Sequence, residues 1–437
     1  MTDYRSRIAS PERALAAVRS GHRVYVHNGC AEPKTLVDAL VQRGPELRNV
    51  EVMHMATFSR AEYVEPRFEG HFRHRALFLG GNVRQAVQEG RADYTPIFLS
   101  EIEDLLDSGA LPIDVALLQC APPDSHGNLC LGTSVDITHT VMERARHIIV
   151  EINPQMPRTC GDTFVHVSQV HAFVESSRPL VEYRPTPISD VQHAIARRVA
   201  NLIPDGAVLQ TGIGGLPEAV LGLLKDHKDL GIHSELMPES VIDLIEAGVI
   251  NNSRKNTYRG KCVAGFALGT SRLFDYIREN PVFEFMRTSH VNDPFVIAQN
   301  DRVVAINSAI EVDLTGQVCS DSMGHLPYSG IGGQVDFIRG AARSKGGLPI
   351  ITLPSTAKGG TVSRIVTSLK PGAGAVTSRG DVHWVITEHG AAYLHGKCLR
   401  ERVEEMIRIA DPRFRQELID SAVRNNLMTA NSPAVAA

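Results

Sequence analysis

Along the chain, short apolar runs alternate with stretches whose apolar residues recur every three to four positions. Val24-Tyr25-Val26, Val115 to Gln119, His147 to Val150, Val208 to Gln210, Val303 to Ile306 and Leu348 to Thr352 have the length of strands. Thr35 to Gln42 has a helical pattern. So does Val241, Ile242, Leu244, Ile245, Val249, with Asp243 and Glu246 on the opposite face. This alternation predicts an α/β fold with a largely parallel sheet. "SSRPLVEYRPTPISD" (176–190) holds three prolines among polar residues and reads as a linker. It divides the chain into domains 1–186 and 187–437.

The halves resemble each other. Gly21-His22-Arg23-Val24 leads through Gly29 and Pro33 into a helical run, and Gly206-Ala207-Val208-Leu209 leads through Gly214 and Pro217 into another. Further on, Asp124, Gly127 and Cys130 match Asp313, Gly316 and Cys319 at nearly the same offset. Two matches in one order predict two related open α/β domains. Clefts between domains favour ligands, so the active site is expected at the domain interface.

Composition narrows the classes. With 437 residues, 43% hydrophobic, the chain can bury a large core without disulfides or a structural metal. The formal net charge is -4, not the basic excess of a nucleic-acid binder. The cluster Arg67 to Arg75 reads as a solvated or phosphate-facing edge. Seven cysteines with no C-x-x-C pair argue against a disulfide framework and a zinc ribbon. No apolar leader opens the chain, and no stretch approaches the ~20 apolar residues of a membrane span. A cytoplasmic enzyme with neither nucleic-acid nor membrane partners is expected.

Glycine loops dominate the candidate chemistry. Leu209 to Pro217 reads as a strand, a glycine turn and a helix start. Such a turn lets an anion approach backbone N–H groups; it also serves as an ordinary tight turn. A dinucleotide reading suffers because Pro217 replaces the third glycine, and no clear second strand carries Asp229 or Glu235. Gly330, Gly332 and Gly333 form a second loop able to hold an anion or a developing oxyanion. Lys358-Gly359-Gly360 suits a phosphate contact, or a surface turn. No H-E-x-x-H motif is present, and no metal is expected. Ser134, Ser234 and Ser329 lack the G-x-S-x-G elbow of a hydrolase. Glu235 follows an extended Ile232-His233-Ser234 and enters an apolar Leu236-Met237-Pro238 corner before a helix. Its residues alone leave three readings open: surface charge, helix-start acid stabilised by the dipole, or reagent.

Several long segments together resemble one family. They are "GGNVRQAVQEGRADYTPIFLSEI" (80–102), "PPDSHGNLCLGTSVD" (122–136), "INPQMPRTCGDTFVHVS" (152–168), "TGIGGLPEAV" (211–220), "VNDPFVIAQNDRVVAINSAIEVDLTGQVCSDSMG" (291–324), "YSGIGGQVDFIRGA" (328–341) and "GDVHWVITEHGAAYLHGKCLRERVEEMIRIADPRFRQEL" (380–418). The chain resembles the class I CoA-transferases of the acetyl-CoA hydrolase/transferase group, nearest the 4-hydroxybutyrate and butyryl-CoA:acetate branch. Their catalytic glutamate stands on a His-Ser/Thr-Glu segment, so the resemblance implies Glu235 as nucleophile and Glu239 as an ordinary structural acid. It further implies an oxyanion donor at Gly332 and Gly333. CoA contacts are implied at Gly212, Ile213, Gly214, Gly215 and Leu216, and at Asn307, Ala309, Ile310 and Lys358. Acyl-CoA and a small carboxylic acid are then the substrates, with no tightly bound cofactor and a homodimeric assembly. The implied activity is CoA transfer; acyl-CoA hydrolysis by the same glutamate is the alternative. An acyl-CoA-binding module and an NAD-dependent dehydrogenase are the remaining readings. After the glutamate, Leu236 to Ser240 departs from the Asp-Gly-containing turn usual in relatives. The acid therefore stays open among 4-hydroxybutyrate, butyrate, propionate, acetate and dicarboxylates such as succinate or itaconate.

Overall fold

The computed structural model describes residues 4–429. Its first sheet has seven strands: β1 (Arg23–Val26), β2 (Val50–His54), β3 (Phe72–Ala76), β4 (Asp93–Tyr94), β5 (Val115–Cys120), β6 (His147–Ile152) and β7 (Ala172–Glu175). They lie in the order β4-β3-β2-β1-β5-β6-β7, all parallel. The second sheet has eight: β8 (Val208–Thr211), β9 (Gly231–Pro238), β10 (Cys262–Leu268), β11 (Phe283–Phe285), β12 (Val303–Ser308), β13 (Leu348–Thr352), β14 (Trp384–Thr387) and β15 (Gly390–Tyr393). Their order is β11-β10-β9-β8-β12-β13-β14-β15, with β15 antiparallel at the edge.

The order of the first seven positions is the same in both sheets, so the internal repeat is real. The register repeats too. Val24 pairs with Val115, and Leu209 with Val304. Arg23 pairs with Glu51, and Val208 with Gly231. Counting four residues on from the last pair aligns Met55 with Glu235. The first copy of the fold therefore carries a thioether where the second carries a carboxylate.

Central strands are buried on both faces, as parallel sheets covered by crossover helices must be. Every residue of β5 is buried, as is every residue of β10. Val24, Val26, Leu36, Leu40, Val52 and Leu117 belong to one core cluster. Val312, Ile351, Val385, Met406 and Ile407 belong to another.

Two compact units result, and they are not separated by one cut near Pro187. One comprises the chain to Arg184 with Ser234–Ile242 and Lys261–Asn292; the other holds Pro185–His233, Asp243–Gly260 and the chain from Asp293. The division falls inside β9, between His233 and Ser234, so Glu235 counts with the first unit.

Candidate active site

Glu235 is not a helix-start residue. It lies in the middle of the eight-residue strand β9, and the helix α4 (Val241–Glu246) begins only after Pro238, with Asp243 as its first-turn acid. The Leu236-Met237-Pro238 corner is the continuation of the strand. Pro238 is its last residue. All other residues of β9 are buried, and Glu235 alone is partly exposed. The start of the strand is pinned at Ile232. The Ile232 N–H donates to Asn252 Oδ1 at 2.9 Å, and the fully buried Lys255 donates from Nζ to the Ile232 carbonyl at 2.7 Å.

Two residues that sequence reasoning missed touch Glu235. Asn292 is buried and donates from Nδ2 to Glu235 Oε2 at 3.3 Å. Gly265, on the neighbouring β10, leaves room for the Glu235 backbone: a Cβ there would stand 3.1 Å from the Glu235 carbonyl oxygen. The Gly265 carbonyl accepts N–H bonds from Val135 at 3.0 Å and Asp136 at 3.2 Å. Asp136 holds a left-handed φ of 32° and is fully buried. Its carboxylate accepts from Asn28 Nδ2 at 3.0 Å and Thr138 Oγ1 at 3.0 Å, and from the Ser134 hydroxyl. These bonds tie the loop after β1 to the strand beside Glu235.

His27, Ser134 and Asp136 sit together but form no hydrolytic triad. The His27 Nε2 faces the Ser134 carbonyl at 2.8 Å, not its hydroxyl, and the Ser134 hydroxyl is spent on Asp136. All three are fully buried. Burial holds the His27 pKa below its ordinary value against the pull of Asp136.

Glu239 has a structural task. Its Oε2 accepts from Thr270 N at 2.7 Å and Thr270 Oγ1 at 2.6 Å, fixing the start of α5 (Ser271–Ile277). Asp229, the other acid of the dinucleotide reading, precedes β9 and is engaged by Asn251 at 2.9 Å and Arg254 at 3.2 Å. The second strand that this reading lacked does exist. Neither acid stands at its C-terminal end, where a ribose would need one.

The glycine-loop candidates all count with the second unit. Gly212 leaves β8 beside Ile306 of β12, and Gln210 Oε1 accepts from Ile306 N at 3.1 Å and Asn307 Nδ2 at 3.0 Å. The structure thus brings the Gly212 turn and Asn307 together at the C-terminal ends of adjacent parallel strands, where such sheets bind ligands. Gly214 has φ 117° and precedes helix α3 (Gly215–Gly222), a conformation suited to glycine. Gly215 serves packing: a Cβ there would meet Ile188 Cγ2 at 2.4 Å. Leu216 and Ala309 are buried, and the Ala309 N–H is taken by the Thr352 carbonyl at 3.0 Å. The Ile310 N–H is taken by the Cys319 carbonyl at 2.8 Å, whereas Ile213 is exposed. Gly332 has φ 57°, and Gly333 caps helix α6 (Gln334–Arg343). Phe337 of that helix lies edge-on to His233, two residues before Glu235, with ring centroids 6.2 Å apart. Lys358 stands exposed, with φ 49°, at the tip of the 356–363 hairpin that follows β13. In the basic cluster, Arg67 pairs with Glu62 and Glu65, Arg73 with Asp93, and Arg75 with Glu51, so no free phosphate-facing edge remains there. Among the described residues no group of three or more His, Cys, Asp or Glu side chains could hold a metal ion.

Residues 1–184 match the acetyl-CoA hydrolase/transferase N-terminal domain, and residues 269–422 the C-terminal domain. The chain is 47% identical over 417 residues to a 4-hydroxybutyrate coenzyme A transferase of Clostridium kluyveri, covering 95% of this chain and 97% of the relative. It is 45% identical to a succinyl-CoA:acetate/propanoyl-CoA:succinate CoA transferase of Fasciola hepatica, covering 97% and 88%. Among solved structures, RipA from Yersinia pestis superposes with a TM-score of 0.91 at 36% identity, covering 97% of this chain and 99% of that one. A 4-hydroxybutyrate CoA-transferase from Porphyromonas gingivalis gives 0.83 at 36% identity, covering 97% and 98%.

Proposed function

Because the chain belongs to the acetyl-CoA hydrolase/transferase family, we propose that it moves CoA between short-chain carboxylic acids through a thioester on Glu235. The observation that carries this reading is the placement of Glu235. One partly exposed carboxylate interrupts a buried strand, with an amide donor at its Oε2. Carboxylates are rarely buried unless paired, and Glu235 alone in its strand keeps access to solvent.

In the proposed cycle the Glu235 carboxylate attacks the acyl-CoA carbonyl. CoA thiolate departs and an acyl-glutamyl anhydride forms. The thiolate then attacks the glutamyl carbonyl, releasing the first carboxylate and leaving glutamyl-CoA. A second carboxylate attacks that thioester, and the steps reverse. One thioester is exchanged for another, so neither ATP nor a metal is consumed. Asn292 orients the attacking oxygen, and the Gly332-Gly333 backbone supplies N–H groups to the tetrahedral oxyanions. The Gly212 turn and Asn307 receive the CoA body, whose binding energy orients the reacting centre. All seven cysteines are free thiols, which suits a reducing cytoplasm. A homodimer belongs to the same reading, from the family resemblance.

The test is intact mass after mixing the protein with acetyl-CoA and no acceptor, followed by peptide mapping. A CoA-sized adduct on the Glu235 peptide, lost in Glu235→Gln, is the expected result. Free CoA accumulating without an adduct or transfer to added acids would replace transferase by hydrolase. That second activity is named for a relative from Yarrowia lipolytica at 27% identity.

A further inference from the structure

One arginine at the C-terminal end of the second sheet has no part in the cycle above. Arg364 directly follows the hairpin whose tip holds Lys358. Its backbone is fixed from both sides. The N–H donates to the Ser355 carbonyl, just past β13, at 2.8 Å, and the carbonyl accepts from Val312 N at 2.9 Å. The side chain is partly buried, yet its guanidinium makes no hydrogen bond or ion pair among the described residues. Burial holds its pKa below the ordinary arginine value, against smaller pulls from Tyr328 and Glu388. A partly buried charge left unpaired is costly and needs a cause.

The acids near Arg364 are occupied by other residues. Glu388 spends both oxygens on Ser355, accepting from its N–H at 2.9 Å and from its Oγ at 2.6 Å. Glu311 stands opposite Arg364, one place before the Val312–Ile365 pair. Lys370 takes it: the Lys370 N–H donates to Oε1 at 2.9 Å, and Nζ lies 3.0 Å from Oε2. The guanidinium donors are therefore left for an anion from outside the chain. The surroundings point to which anion. Ile310 precedes Glu311, Tyr328 leads into the loop of Gly332 and Gly333, and Lys358 shares the hairpin, so Arg364 sits among candidates for CoA contact. All of them count with the second unit, whereas Glu235 counts with the first. This is also the ligand-binding end of a parallel sheet.

We infer that Arg364 is a second phosphate anchor for CoA, holding a phosphate group other than the one Lys358 reaches. This inference rests on the transferase reading. A planar guanidinium pairs with two phosphate oxygens at once, which an ammonium cannot do. Arg364 lies at the base of the hairpin and Lys358 at its tip, roughly 10 Å apart along the strands. The pyrophosphate and the 3′-phosphate of one nucleotide can bridge that span with the two long side chains. Neither cation then needs to touch the acyl group. The phosphate contact supplies binding energy, far from the reacting atoms, that orients the thioester.

The experiment compares kcat/KM for acetyl-CoA, acetyl-dephospho-CoA and acetylpantetheine as donors to propionate, in the wild type, Arg364→Met and Arg364→Lys. Arg364→Met is expected to lower the value for acetyl-CoA about thirtyfold and to leave that for acetylpantetheine, which has no phosphate, within about twofold. A loss that persists with acetyl-dephospho-CoA assigns the pyrophosphate, and a loss that vanishes there assigns the 3′-phosphate; both support the inference. An equal loss with acetylpantetheine overturns it, because the effect then lies at the acid site or in the fold. An unchanged value for acetyl-CoA overturns it as well. Should Arg364→Met not fold, Arg364→Lys decides. It keeps the charge but not the planar fork, so a loss of about fivefold confined to the phosphate-bearing donors is expected, and no difference between donors overturns the inference. Wild-type protein that binds CoA in calorimetry but turns over no donor refutes the transferase reading itself. The Kd values of CoA and pantetheine in wild type and variants then test Arg364 by the same comparison.

Discussion

Replacing His74 by phenylalanine is expected to make the first sheet more resistant to acid than the wild type. His74 is buried on β3, with Nδ1 2.8 Å from the Val52 carbonyl and its ring stacked on His54 at 4.3 Å between centroids. Burial pushes its pKa down to about 4, against smaller opposing pulls from the Val52 carbonyl and the charges of Asp93 and Glu51. His54 is held well below its ordinary value by burial and then by His74. Below pH 6.5 the unfolded chain takes up a proton that folded His74 refuses. Stability therefore falls as the pH drops from 6.5 to about 4, tenfold in the opening equilibrium per unit. From pH 7.5 to 4.5 the loss is about 100-fold, or roughly 2.7 kcal/mol. Phenylalanine keeps the ring stack and removes the titration, at the cost of one hydrogen bond worth about 1 kcal/mol.

The wild-type pH profile alone would hide this effect. Burial raises the Glu32 pKa to about 7, so Glu32 contributes in the opposite sense, losing stability as the pH rises from 4.5 to 7. The two slopes cancel over the shared interval, and only the variant difference isolates His74. The assay is hydrogen exchange by mass spectrometry on peptides covering 50–54 and 72–76, corrected for intrinsic rates. Variant protection relative to wild type should rise about 100-fold from pH 7.5 to 4.5. A ratio that does not change with pH would refute the argument.

Three further substitutions test the surroundings of Glu235. Asn292→Ala should lower kcat about tenfold, the value of one hydrogen bond to a charged group, with KM for acyl-CoA little changed in steady-state assays. Gly265→Ala places a Cβ 3.1 Å from the Glu235 carbonyl and must displace that backbone by a few tenths of an ångström. A kcat reduced roughly three- to tenfold is expected, and wild-type turnover would show that the strand is not held in register there. Glu239→Ala removes both bonds to Thr270 and should destabilise the start of α5 by about 1–2 kcal/mol in urea titration. Its kcat/KM per folded molecule should stay within about twofold of wild type, whereas a loss like that of Glu235→Gln would make it part of the chemistry.

Periodicity in the sequence located the strands that anchor each half, because buried parallel strands are continuous apolar runs. The same property concealed β9. With both faces buried there is no alternation to read, and Leu236-Met237-Pro238 looks like a corner when it is the end of a strand. The repeat was visible because glycines mark the turns after β1 and β8. Glu235 could be singled out only by resemblance, since a lone acid before a helix has an ordinary explanation. Its contacts were not legible. Asn292 and Gly265 are remote in sequence and reach Glu235 only through β10 and the short helix Thr288–Val291 that follows β11. Gly215 carries a local signal for ligand approach, yet its space is filled by Ile188 from the linker.

The first unit is made from three separate stretches, the last of them Lys261–Asn292. Its residues up to Arg184 leave the ribosome while Gly265, the pairing partner of Val135 and Asp136, is still unmade. At roughly 5–20 residues per second, the wait for Asn292 is on the order of ten seconds. During synthesis this segment must persist unfinished, with backbone groups unpaired that the mature enzyme buries. A nascent chain stalled at the linker should therefore be a client for chaperones, and a coding sequence that slows translation after residue 184 would lengthen its exposure.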